Sequence, residues 1–235
     1  MLKRLYDKSE TAFAILWIAA YVVLFSVADG LSSRLGIQKS ITALVGTVFV
    51  ALLVLWIKKH DLFSKYGLSK VKLDYKKYLY FIPLALICTV NFWHGINIKV
   101  SFEEIVLFIL SMLAVGITEE IIFRGFLFRA LCKEGIKTAV LFSSITFGLG
   151  HIINLLNGAE FASTLLQICC AIVIGFLFTV IFYKSGSLYP PIIAHALLNS
   201  LSVFAKEQGF QIIISVIVIV IALAYSWMIL KKESK

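Results

Sequence analysis

Three short motifs place ionisable and polar side chains inside stretches that are otherwise apolar. They read Thr118-Glu119-Glu120-Ile121-Ile122-Phe123-Arg124, Phe147-Gly148-Leu149-Gly150-His151 and His195-Ala196-Leu197-Leu198-Asn199. A carboxylate shielded from water is a natural acceptor for a proton taken from a water molecule. Adjacent carboxylates on a helix point about 100° apart, so Glu119 and Glu120 cannot serve one partner equally. Glu120 and Arg124 stand at i, i+4 with the acid on the N-terminal side, the favourable order for an ion pair. That pairing neutralises Glu120 and leaves Glu119 to face elsewhere. His195 and Asn199, also at i, i+4, share one helix face and can both donate to one point between helices. Such donors suit an oxygen on which negative charge develops. Each motif also has a plain structural explanation: an ion pair tying helices together, a satisfied core histidine, an interhelical hydrogen bond.

The elements that carry these residues are membrane spans. Of 235 residues, 60% are hydrophobic and 15% charged, and the mean hydropathy is +0.96. Ordinary soluble domains are about 45–50% apolar and about 25% charged. The apolar residues fall in runs near the roughly 20 residues that a helix needs to cross a bilayer. The sequence therefore predicts an all-α polytopic transmembrane bundle of about eight helices, at 12–28, 41–57, 78–92, 103–131, 138–155, 162–183, 190–204 and 211–230. The third and seventh are short. The fourth is long enough that it must tilt, bend or protrude. No repeat or long linker divides the chain, so residues 1–235 form a single membrane domain with the motif-bearing core at about 103–204. Glu119 lies 14 residues from Lys133 and His151 lies 14 residues from Lys137. Both are thus about 21 Å along their helices from basic residues at a span end, and the four polar groups can meet within the membrane.

The net charge of +9 is loop charge rather than a nucleic-acid surface, because the basic residues fall between the spans. With the N-terminus in the cytoplasm and alternating loops, eighteen of the 22 Lys and Arg residues fall on the cytoplasmic side. The positive-inside rule predicts this asymmetry for an even number of spans, with both termini cytoplasmic. The basic stretch 58–77 suits an anionic membrane surface. Lys3, Arg4 and Lys8 before an apolar run ending in Ser26-Val27-Ala28 resemble a secretory signal, but the run is long for one and is read as a retained span. Cys88, Cys132, Cys169 and Cys170 lie in or beside apolar segments and read as buried small residues. His60 and His94 are assigned no role.

The ordered set of Glu119-Glu120…Arg124, Phe147…His151 and His195…Asn199 resembles the CPBP family of CAAX proteases and bacteriocin-processing enzymes, over about 100 residues. The resemblance implies an intramembrane endopeptidase that acts on a membrane-associated peptide or protein. It implies that Glu119 and His151 activate a water, that His195 and Asn199 stabilise the oxyanion, and that Arg124 holds Glu120, with Phe147 in support. Proteins of this family have been described both as glutamate-dependent and as metal-dependent. The helix motif H-E-x-x-H is absent, so no cofactor is favoured. Were zinc used, Glu119, His151 and His195 would hold it with an open water position.

Two other classes compete: a non-catalytic membrane partner of a sensor kinase or peptide exporter, and a proton-coupled transporter. Packing alone does not require all four polar residues, and neither an internal repeat nor paired broken helices is present as in many transporters. Size and composition suggest a bacterial plasma membrane. The charge asymmetry makes one outcome testable at once. A reporter fused after Lys235 reads as cytoplasmic, and an extracellular reading overturns the assigned orientation.

Overall fold

The computed structural model describes residues 1–69, 81–206 and 211–231. Its helices are α1 (Leu2–Lys8), α2 (Glu10–Leu35), α3 (Ser40–Lys59), α4 (Ile82–Cys88), α5 (Phe102–Glu119, continuing through Glu120–Phe128 to Arg129–Leu131), α6 (Ile136–Leu149), α7 (Phe161–Ser185), α8 (Tyr189–Leu201) and α9 (Gln211–Lys231). The polar residues between the apolar runs set the helix starts. The Ser9 side chain accepts from the Ala12 N–H, capping α2. Ser101 and Glu104 form a reciprocal capping box at α5, which satisfies backbone donors that the first turn leaves open.

Among the described residues six helical stretches are long and apolar enough to cross a membrane: Glu10–Leu35, Ser40–Lys59, Phe102–Glu134, Ile136–Leu156, Phe161–Ser185 and Ile212–Lys231. Among the described residues the third and seventh expected spans are α-helical only over Ile82–Cys88 and Tyr189–Leu201. At 1.5 Å per residue these reach about 10 and 20 Å. Residues 78–80 of the third expected span lie outside the described residues, as do 70–77 of the basic stretch. Beyond α4 the chain passes through a 3₁₀ turn at Val90–Phe92 to Ile96, which forms an isolated antiparallel bridge with Ala205. Asn91 Nδ2 donates to the Leu198 carbonyl at 2.7 Å. Irregular backbone at membrane depth is tolerated where protein groups satisfy it, and these contacts do so.

The loops sort into two ends. Glu10 binds Lys65 at 2.5 Å and Lys133 at 2.8 Å. The Leu188 N–H donates to the Gly67 carbonyl at 2.9 Å, and Tyr189 Oη donates to the Leu68 carbonyl at 2.8 Å. Residues 10, 65–68, 133 and 188–189 are therefore neighbours. The Asn97 N–H donates to the Phe204 carbonyl at 3.0 Å, joining the segment after α4 to the end of α8. Since α8 begins beside Gly67 and ends beside Asn97, the segment that carries α8 runs between the two ends although its helix is short.

The second half of α5 is the axis of the bundle. All nine residues from Glu120 to Phe128 are buried, and they are wound as a π-helix, a rare form frequent at functional sites. Helices α2, α3, α6, α7 and α8 pack around α5. The outer helices keep large apolar side chains exposed, such as Val23, Leu52, Phe142, Val220 and Trp227. In a bilayer that exposure faces lipid and carries no penalty.

Gly116 lets α8 approach α5 closely. A Cβ there would stand 2.8 Å from the Ala196 backbone nitrogen and 2.9 Å from its Cα. Both are backbone atoms, so the helices would have to move apart. Gly30, by contrast, has nothing within 4 Å of such a Cβ. Gly116→Ala should therefore lower stability by about 1–3 kcal/mol, the usual cost of overpacking. Gly30→Ala should be neutral or slightly stabilising, since alanine is the better helix former by about 0.8–1.0 kcal/mol. Thermal unfolding of the two variants in detergent gives the comparison, and equal effects would contradict the close approach.

Candidate active site

Glu119 and Glu120 lie where α5 changes from α- to π-winding. The Arg124 guanidinium donates from Nη1 to Glu120 Oε1 at 2.9 Å, and both side chains are completely buried. The pairing read from the i, i+4 spacing is present. Arg124 also lies over the Phe147 ring, 4.2 Å from its centroid, which adds a cation–π contact in a dry setting. Gly175 on α7 makes the room for it: a Cβ there would stand 2.9 Å from both Arg124 Nη2 and Phe147 Cδ1. Arg124 Nε and Nη2 and Glu120 Oε2 find no hydrogen-bond partner among the described residues.

His195, carried on α8, joins the two carboxylates. Its Nδ1 lies 2.8 Å from Glu120 Oε1, and its Nε2 lies 3.2 Å from Glu119 Oε2. Glu120, already accepting from Arg124, accepts again from His195 Nδ1–H. That bond fixes the ring orientation, much as an acid fixes the imidazole of a catalytic triad. With Nδ1 protonated, the contact between Nε2 and Glu119 needs one further proton, on one of the two groups. The four side chains Arg124, Glu120, His195 and Glu119 then carry no net charge together, which suits a buried cluster. Glu119 Oε1 is occupied as well, accepting from Tyr21 Oη on α2 at 2.7 Å.

His151 and Asn199 sit differently. His151 follows the end of α6 and is half-buried; its Nδ1 lies 3.3 Å from the Phe147 carbonyl. A carbonyl can only accept, so this contact requires Nδ1–H and leaves a lone pair on Nε2. The His151 ring meets the Phe147 ring at 5.5 Å between centroids, and Phe147 meets the His195 ring at 5.6 Å. Phe147 is thus the shared neighbour of the two histidines, which do not bond each other. Asn199 is half-buried one turn beyond His195, and its carbonyl accepts from Ser202 Oγ. Its side-chain amide bonds no described residue. The structure therefore joins Glu119, Glu120, Arg124 and His195 in one chain of polar contacts, with His151 reached through the Phe147 ring.

Tyr21 was not singled out from the sequence, and neither was Phe178, whose ring lies 5.8 Å from His195. Tyr21 stands 98 residues before Glu119, and a tyrosine within an apolar span carries no local signal of a partner so distant. Among the described residues no group of three His, Cys, Asp or Glu side chains is arranged to hold a metal ion. The set of Glu119, His151 and His195 is accordingly not disposed as zinc ligands.

The fold and this centre define a class: a polytopic helical membrane protein with an acid–histidine cluster buried among its spans. Residues 101–201 match the family model described as Rce1-like, Type II CAAX prenyl endopeptidase Rce1-like. The match spans all three motifs and bears out the resemblance drawn from them. No curated protein and no solved structure matches the chain.

The buried ion pair gives a direct stability test. Arg124→Met removes the positive charge and leaves Glu120 facing His195 alone. Breaking a buried pair from one side costs about 3–5 kcal/mol. Arg124→Met should therefore fall well below wild type in detergent unfolding, and Arg124→Met combined with Glu120→Gln should recover part of the loss. A single variant as stable as wild type would show that the pair carries no structural load.

Proposed function

We propose that the protein is an intramembrane endopeptidase that hydrolyses a peptide bond in a membrane-associated peptide or protein. The observation that supports this most strongly is the approach of His195 Nε2 to Glu119 Oε2 at 3.2 Å, buried within a bundle whose motif-bearing segment matches an endopeptidase family. Peptide hydrolysis needs a group that takes a proton from water and returns it to the leaving amine. It also needs donors for the carbonyl oxygen as it becomes an oxyanion.

Glu119 is the proton carrier in this reading. It accepts a proton from a water, the hydroxide oxygen bonds to the scissile carbonyl carbon, and the proton passes to the nitrogen as the C–N bond breaks. The free Nε2 lone pair of His151 orients the same water. As Glu119 takes up the proton of the water its hold on His195 Nε2–H weakens, and that N–H, with Nδ1 still held by Glu120, donates to the oxyanion beside the unengaged amide of Asn199 on the same face of α8. Glu120 and Arg124 act through His195 rather than on substrate. The chemistry uses only side chains of this chain, with no metal and no other cofactor. The end that gathers Lys65, Lys133 and residues 188–189 is the cytoplasmic end, and substrate enters from that half of the membrane.

A quenched-peptide library presented in liposomes tests the reading. Glu119→Gln keeps the side-chain shape but cannot carry the proton, and the cleavage rate should fall about 10²–10⁴-fold. The variant should unfold at nearly the wild-type temperature. Prior dialysis against a chelator should leave wild-type cleavage unchanged. Cleavage that survives Glu119→Gln would refute the assignment.

A further inference from the structure

We propose that Tyr21 is a positioning residue for Glu119, so that the site is completed by a helix outside the segment that matches the endopeptidase family. This inference rests on the reading of Glu119 as the proton carrier. Tyr21 lies in α2, and its hydroxyl donates to Glu119 Oε1 at 2.7 Å. The other carboxylate oxygen faces His195 Nε2 at 3.2 Å. A carboxylate bound at one oxygen loses free rotation about its last bond, so the Tyr21 hydroxyl aims Oε2 at His195. Among the described residues no other group donates to Oε1. Without the hydroxyl, Oε1 would be left unpaired in a largely dry site, and the carboxylate could turn away from His195 at little cost.

The local sequence holds this hydroxyl in place. Phe13, Trp17 and Tyr21 recur every four residues and so lie on one face of α2. Phe13 and Trp17 pack against Phe126 of the π-wound stretch, with centroids 5.1 and 6.5 Å apart. The Tyr21 ring packs on Phe25 at 4.6 Å and Phe49 at 6.4 Å. The first two members of the stripe are core packing. The third carries the phenyl ring of Phe13 with a hydroxyl added, where the neighbouring helix presents Glu119. An aromatic stripe that served packing alone would be equally served by phenylalanine at position 21.

The test combines turnover with a bond-specific signal. Tyr21→Phe should lower kcat about ten-fold or more with KM near the wild-type value, since a hydrogen bond to a charged group is commonly worth that factor. Phe25→Leu disturbs the same ring contacts without touching the hydroxyl and should leave kcat within about two-fold, as expected for a packing change remote from the reacting groups. A 3-fluorotyrosine placed at position 21 keeps ring and hydroxyl and should retain most of the activity. Its ¹⁹F resonance should move when Glu119 is changed to Ala and stay fixed when Phe25 is changed to Leu; this readout needs no activity and remains if Tyr21→Phe fails to fold. Equal losses in Tyr21→Phe and Phe25→Leu, or a ¹⁹F resonance indifferent to Glu119→Ala, would overturn the proposal. If Glu119→Gln itself still cleaves, the catalytic reading of Glu119 fails first, whatever Tyr21→Phe shows. If Glu119→Gln is inactive and Tyr21→Phe is fully active, only the role of Tyr21 fails.

Discussion

A guanidinium with no exposure to water, held among apolar helices, must be neutralised where it stands. Arg124 is such a group, and its ion pair with Glu120 is the interaction on which the rest of the centre depends. An isolated charge at this depth would be expensive. Glu120 supplies the opposite charge from the preceding turn, Phe147 supplies a π-face, and Gly175 supplies space. Once Glu120 is fixed by Arg124, its Oε1 becomes a stationary acceptor for His195 Nδ1. The imidazole is then oriented, and its other nitrogen meets Glu119. Each step is a local polar contact, but the order runs outward from the buried charge.

The bundle is arranged to keep that chain of contacts short. Gly116 removes the side chain that would hold α8 away from α5, and Ala196 fills the contact next to His195. Pro190 and Pro191 open α8, where missing backbone N–H groups cost little. The π-winding of Glu120–Phe128 widens the turn in the stretch that carries Glu120 and Arg124 and buries all of its residues. On the opposite flank, α2 and α3 contribute an aromatic layer that packs against Phe126. That layer brings Tyr21 beside Glu119. The segment matching the endopeptidase family contains α5 to α8 and hence all three motifs. The flanking helices enclose it, and one of them reaches into it.

Much of this architecture could be read from residue types and spacing. Long apolar runs with polar loops require membrane helices, because a bilayer offers no partner for open backbone groups. The i, i+4 spacing of Glu120 and Arg124 sets their pairing on any helix. It also keeps Glu119, about 100° away, out of the Arg124 pair, although both acids reach His195 in the folded bundle. These properties are local or compositional, so they were legible before any tertiary contact was known.

Other properties belong to tertiary structure alone. Hydropathy cannot separate a crossing helix from a 13-residue helix continued by irregular backbone, such as α8, because both are apolar. Protein contacts from Asn91 and Asn97 make the shorter helix tolerable. That His195 would bridge both carboxylates, that His151 would meet the centre through Phe147, and that Tyr21 would bind Glu119 all depend on how separate helices pack. Sequence periodicity orients a side chain around its own helix axis and carries nothing about the helix it will face. The class of protein and the identity of its polar residues were determined by the chain itself. The partner of each polar residue was decided only when close packing brought distant helices within hydrogen-bonding distance.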